Sequence, residues 1–111
     1  MARKPKSIIT DVMKSCFMCH SMRNIEIHHI FYGYGNRRLS DRYGLIVPLC
    51  HDCHNEPPNG VHHNIENDLK LKRLAQVTFN ITYPELSFTE IFGRNYIEDE
   101  DFETADSRKT W

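Results

Sequence analysis

Three observations in this chain of 111 residues predict an α+β domain with helices added towards its C-terminal end. Two short runs rich in β-branched and aromatic residues, 25–31 and 45–49, read as strands. Two Cys-x-x-Cys pairs, Cys16/Cys19 and Cys50/Cys53, bracket them with 30 residues between the pairs. A longer amphipathic stretch after Asn64 reads as helix. A chain this short holds one core, and small domains of this size often need a metal or disulfide staple. At 40% hydrophobic and 26% charged residues it reads as soluble and globular. It has no apolar run near the roughly 18–20 residues of a spanning helix, and no apolar stretch behind Met1-Ala2-Arg3-Lys4-Pro5-Lys6 has the length expected of a signal peptide. The expectation is a cytoplasmic protein with no membrane partner.

Taken in order, residues 1–14 form a basic arm leading to Ile8-Ile9. The first strand is followed by Gly33-Tyr34-Gly35-Asn36-Arg37-Arg38, which reads as a flexible basic loop running to about Gly44. Pro48 confines the second strand to an edge or a strand end. Pro57-Pro58-Asn59-Gly60 is a turn that ends any helix begun near His51. Asn64 can cap a helix to about Asn80, with Ile65, Leu69, Leu74 and Val77 as its buried stripe. Pro84 opens another short helix, Phe88, Ile91 and Phe92 share one face of it, and Gly93 stops it. The expected organisation is one domain over 1–97, its motif core at 16–63 and its C-terminal helices at about 64–93. An acidic, disordered tail follows over 98–111.

Net charge is −1, but it is unevenly spread. Residues 1–42 carry eight Lys/Arg against three acids, residues 43–97 four against six, and the tail two against six. Without the tail the body is +3, concentrated in the half that holds the first cysteine pair. That asymmetry suits an anionic ligand.

Two Cys-x-x-Cys knuckles present four thiolates that can close a tetrahedron around zinc, the two-residue spacer turning both sulfurs towards the metal. Disulfides compete for the same cysteines, but nothing targets the chain to an oxidising compartment. A thioredoxin-type pair would open a helix, whereas these pairs flank a strand-loop-strand unit. Cys16, Cys19, Cys50 and Cys53 are therefore expected to hold a structural Zn2+, and a closed four-cysteine site does no chemistry.

The seven histidines all fall between the first cysteine pair and residue 63. His20 and His51 read as ordinary polar residues. His28-His29 ends the first strand, where neighbouring side chains face opposite ways and can take different tasks. The staple brings that strand to His54, which follows Cys53, and His62-His63 lies just past the proline turn. Neutral imidazoles suit a divalent transition metal, and an unliganded one beside it can act as general base.

At this point the order Cys16-x-x-Cys19, His28-His29 on a strand, then Leu49-Cys50-x-x-Cys53-His54 resembles the HNH endonucleases of ββα-metal (His-Me finger) fold. The stretches His28-His29-Ile30-Phe31-Tyr32-Gly33, Ser40-Asp41-Arg42-Tyr43-Gly44 and Phe92-Gly93-Arg94-Asn95-Tyr96 are similar to small phage and prophage HNH proteins, and more loosely to recombination-enhancement, RecA-dependent nucleases. The resemblance covers residues 16–63. It implies that His28, His54 and His62, with His63 as the alternative to His62, bind a catalytic divalent ion (Mg2+, Mn2+, Zn2+ or Ni2+). His29 would be the general base, and Arg37, Arg38 and Arg42 would hold DNA phosphates. One departure stands out. The family's base-orienting asparagine lies five residues before the third cysteine, where this chain has Leu45; Asn36 is the candidate substitute, with Asp41 beside it.

The function this implies is metal-dependent hydrolysis of DNA phosphodiester bonds in a phage setting of recombination, replication or packaging. The rivals are a non-catalytic zinc-stapled DNA-binding adaptor and a nuclease active only with a phage or host partner protein. A homodimer cutting both strands is a further expectation the residues leave open.

Overall fold

A computed structural model describes residues 6–97. The first five residues of the basic arm and the acidic tail lie outside the described residues. The element order is β1 (Ile25–His29), α1 (Asn36–Tyr43), β2 (Ile46–Cys50), α2 (His51–Asn55), α3 (Ile65–Thr82) and α4 (Phe88–Phe92). The predicted α+β class is what is seen: a two-stranded antiparallel sheet with helices around it. β1 and β2 pair Ile25 with Cys50 through to His29 with Ile46. Pro48 sits in mid-strand opposite Ile27. It is tolerated because each strand of a two-stranded sheet is an edge, and its carbonyl accepts from Phe17 N at 2.7 Å.

The expected flexible loop is instead helix α1, set between two left-handed glycines, Gly35 (φ 82°) and Gly44 (φ 75°). Arg37, Arg38 and Arg42 therefore lie on a helix and not on a loop. The helix is mostly polar, which hid it, but its inner side docks through Ser40, with Leu39 and Tyr43 packed on the core. The Ser40 hydroxyl donates to Phe31 O at 2.7 Å and accepts from Phe31 N at 3.0 Å, sealing the backbone where β1 ends. Gly44 is also close-packed: a Cβ there would lie 2.6 Å from Lys6 O, and Ile8 N bonds the Gly44 carbonyl, so the end of the arm is stitched to the body.

Asn64 caps α3 as predicted, its Oδ1 accepting from Asn67 N at 2.9 Å. The predicted buried stripe does not hold. Ile65, Leu74 and Val77 are exposed, and the inward face is Asp68, Leu71, Ala75, Gln76 and Phe79. Counting only apolar residues missed it, because Asp68 and Gln76 are buried with partners. Asp68 takes Tyr32 and Lys72, and Gln76 takes Asn95 and the backbone of Tyr96. Pro84 stands in a turn and does not open α4, whose cap is Ser87 accepting from Glu90 N. Gly93 (φ 79°) ends α4 as expected. Phe88 and Phe92 stack at 4.5 Å and meet Phe31 at 5.1 and 4.9 Å, with Phe79 of α3 beside them. This aromatic core fastens α3 and α4 to the residues immediately after the His28-His29 pair.

Candidate metal centres

The two cysteine knuckles meet. The sulfurs of Cys16, Cys19, Cys50 and Cys53 all lie within 4.8 Å of one another. Zn–S bonds of about 2.3 Å place the corners of a sulfur tetrahedron roughly 3.8 Å apart, and Cys19 Sγ to Cys50 Sγ is 3.6 Å. Burial pushes the Cys16 thiol up, but hydrogen bonds with the backbone of Cys19, Cys50 and Met18 outweigh it and bring it down to about 6. Those backbone hydrogen bonds favour the thiolate, the form a metal takes. Four cysteines are positioned to bind Zn2+.

The second cluster is built from different elements. His28 comes from β1, His54 from α2 and His62 from the loop after it, with their ligand nitrogens within 4.8 Å of one another. Cys53 and His54 are consecutive on α2, so one short helix serves both centres. The loop folds back on α2 through Val61 N to Cys53 O (2.8 Å) and His62 N to His54 O (3.2 Å). His62, not His63, is thereby carried to the cluster; His63 is exposed outside it.

Three observations fit this cluster to a cation. First, His28 is 1% exposed, and its Nε2 is, among the described residues, a buried side-chain polar atom with no hydrogen-bond partner. An orphaned buried nitrogen costs about 1–3 kcal/mol unless something binds it. Second, the Nε2 atoms of His54 and His62 stand 3.2 Å apart, close to the roughly 3.4 Å expected for two nitrogens on one tetrahedral ion. Third, burial foremost, then the neighbouring His54 and His62, holds His28 down at about 3, and burial also lowers His62. Both rings therefore offer lone pairs at neutral pH.

Glu26, which the sequence reading missed, completes the arrangement. It precedes His28 by two residues, and such neighbours share a strand face roughly 6.6 Å apart. The His54 ring bridges that gap. Its Nδ1 donates to Glu26 Oε1 at 2.7 Å, leaving Nε2 to face His62. A carboxylate behind a ligand histidine fixes its tautomer in this way. The His54 bond, with that from His51, holds the Glu26 carboxyl below its ordinary range. His51 is placed as the ordinary polar residue expected, between Glu26 and Glu56.

His29 takes no part in the three-histidine cluster; its Nε2 meets Asp41 Oδ1 at 2.8 Å. Asn36 turns elsewhere, its Nδ2 donating to Tyr32 O at 3.5 Å. Leu45 is a fully buried core residue. It is α1, pinned by Ser40, that brings Asp41 to His29. His28, His29, His54 and His62 line one open cleft of about 330 Å³ together with Tyr32, Gly33 and Arg37. Arg42 lines a separate groove with Lys6 and Tyr83, and Arg38 is exposed on α1.

Behind the cleft, the Tyr32 ring packs on His62 at 4.9 Å and His28 at 5.9 Å. Its hydroxyl donates to Asp68 at 3.2 Å, and Lys72 pairs with Asp68 at 2.8 Å and covers the Tyr32 ring at 4.5 Å. Burial keeps Tyr32 a neutral phenol, while Asp68 holds the Lys72 ammonium charged against its burial. Helix α3 thus braces the histidine cluster through one aromatic ring.

The loop that delivers His62 depends on Gly60. A Cβ there would lie 2.6 Å from Glu56 N and 2.7 Å from Glu56 O, both backbone atoms with no room to yield. Gly60→Ala is expected to lower Co2+ affinity at the histidine cluster at least about tenfold with the zinc content of the cysteines unchanged. Cobalt titration followed by visible absorption reads this, and unchanged affinity would show that the loop shifts without moving His62.

Among the described residues no helix is long and apolar enough to cross a membrane. Comparison with family models, with curated proteins and with solved structures found no match to this chain.

Proposed function

We propose that this protein is a metal-dependent endonuclease that hydrolyses DNA phosphodiester bonds on a ββα-metal core. The observation that carries the reading is the cleft itself, where a three-histidine cluster with an orphaned buried nitrogen lies beside a fourth histidine held by a carboxylate. A binding module needs the zinc staple but not this second centre. With α1 between the strands, the order β1, β2, α2 and the ligands on β1, on α2 and on the loop after it agree with the HNH resemblance, and Asp41 stands in for the absent asparagine.

A divalent ion held by His28, His54 and His62 would supply Lewis-acid stabilisation of the charge that develops on the phosphate and the leaving 3′-oxygen. The remaining work falls to the chain. Asp41 accepts the Nε2 proton of His29, which leaves the lone pair on Nδ1. His29 Nδ1 takes a proton from water as its oxygen attacks phosphorus, and the electron pair of the broken P–O bond goes to the 3′-oxygen. Arg37, on the cleft wall, meets a flanking phosphate, with Arg38 and Arg42 further along α1. Binding through phosphates should weaken steeply with salt. The resemblance places such an enzyme in phage recombination, replication or packaging.

Nicking of supercoiled plasmid across Mg2+, Mn2+, Zn2+ and Ni2+ tests the proposal. His29→Ala, at matched zinc content, is expected to cut about 10²–10⁴-fold more slowly, and Asp41→Asn to fall between it and the parent. No nicking by zinc-loaded parent protein in any metal would leave an adaptor, or an enzyme that works only with a partner. Equal nicking by parent and His29→Ala would show that His29 is not the base.

A further inference from the structure

One aromatic side chain at the cleft is built outwards. Tyr34 is 105% exposed, whereas Tyr32, Tyr43, Tyr83 and Tyr96 all pack against other rings. Its position is held by the backbone. Asn36 N donates to Gly33 O at 3.2 Å, closing a four-residue turn with Tyr34 in its second position. Gly35, at φ 82° and ψ −27°, has the backbone that the third position of a type II turn requires and that other residues resist. A Cβ on Gly33 or Gly35 would meet nothing within 4 Å, so these glycines serve the shape of the turn and not a close approach. The turn therefore presents a large flat ring to solvent where a polar residue would be the ordinary choice.

Its location gives that ring a use. Gly33 and Arg37, which flank the turn, both line the cleft with His28, His29, His54 and His62. Tyr34 thus lies between two cleft-lining residues in the chain, and Arg37 and Arg38 follow it on the first turn of α1. Phosphate can be met by arginine in any DNA, but an aromatic face binds a base only when that base is free of its stack. An intact duplex offers phosphates and base edges, not base faces.

We propose that Tyr34 stacks on an unpaired base next to the bound phosphate, so that the preferred ligand is DNA with single-stranded character. This rests on the DNA reading above. The test is binding, not cleavage, with the full zinc-loaded chain carrying His29→Ala and an oligonucleotide containing 2-aminopurine, compared as single strand and as duplex. On the single strand the parent should bind tighter and change the 2-aminopurine emission. Adding Tyr34→Ala should weaken that binding about tenfold and abolish the emission change, while duplex binding stays within about twofold; Tyr34→Trp should restore both signals. Single-strand binding unaffected by Tyr34→Ala, or equal losses on both forms, would overturn the stacking role while leaving the DNA reading intact. Failure of the parent to bind either form would remove the DNA reading itself.

Discussion

Replacing Cys50 by serine is expected to unfold this protein and not merely to weaken it. Cys50 ends β2 and stands at the N-cap of α2, and its sulfur lies 3.6 Å from Cys19 on the opposite knuckle. The parts it joins are weak by themselves. A two-stranded sheet is marginal in water, and a five-residue helix such as α2 falls far below the length that sustains itself. Structural zinc contributes an apparent 10–16 kcal/mol or so in small domains, against a total stability of about 5–15 kcal/mol. Breaking the four-cysteine set should therefore remove the bound zinc and the cooperative thermal transition together, as read by elemental analysis and far-UV circular dichroism. Because Cys53 and His54 are neighbours on α2, the histidine cluster should lose its metal affinity as well. A normal transition without zinc would show that the aromatic core of Phe31, Phe79, Phe88 and Phe92 suffices alone.

His28→Gln is expected to have the second large effect, and on the other centre only. The fold and one zinc per chain should remain, while divalent-metal affinity at the histidine cluster falls by more than about a hundredfold, since losing even a supporting residue behind a ligand costs 10–100-fold. Nicking should fall about a thousandfold or more with it. The same variant tests the electrostatics. The His28 imidazole drops from 6.5 to about 3 on folding, chiefly through burial and then through His54 and His62. Between those values the unfolded chain binds a proton that the folded chain refuses, so the unfolded state binds more protons and stability rises with pH. Without added metal, the parent should lose stability as pH falls below 6.5, the slope approaching about 1.4 kcal/mol per pH unit. His28→Gln should lack that contribution. Urea midpoints for the two proteins between pH 7 and 5, at equal zinc content, would show it; parallel curves would mean that His28 is protonated in the fold.

Much of the frame could be read along the chain because its signals are local. Spacing within each Cys-x-x-Cys pair, β-branching in the two strands, the Asn64 cap and the Gly93 stop need no knowledge of distant residues. Helix α1 was missed for a related reason. Its caps are glycines and its buried residue is Ser40, with only Leu39 and Tyr43 of its side chains packed on the core, so it carries the composition of a loop. The inner face of α3 was misread because Asp68 and Gln76 go inside, each with a partner more than fifteen positions away.

The sequence by itself determined which side chains could form metal centres: two cysteine knuckles, and histidines placed on a strand end and after the second knuckle. Ligand chemistry is a property of residue type and short spacing, and both are written in the chain. Only the tertiary structure decided which histidine of the 62/63 pair joins the cluster, that Glu26 fixes His54, that Asp41 and not Asn36 meets His29, and that Tyr34 is left facing solvent. Tyr34 is presented by the local Gly33–Asn36 turn, but the other three choices turn on contacts between separate elements: the 60–62 loop folding onto α2, Glu26 of β1 reaching His54 of α2, and Ser40 sealing α1 to β1. Hydrogen-bond geometry of that kind is settled by packing across the whole fold, and no run of neighbouring residues encodes it.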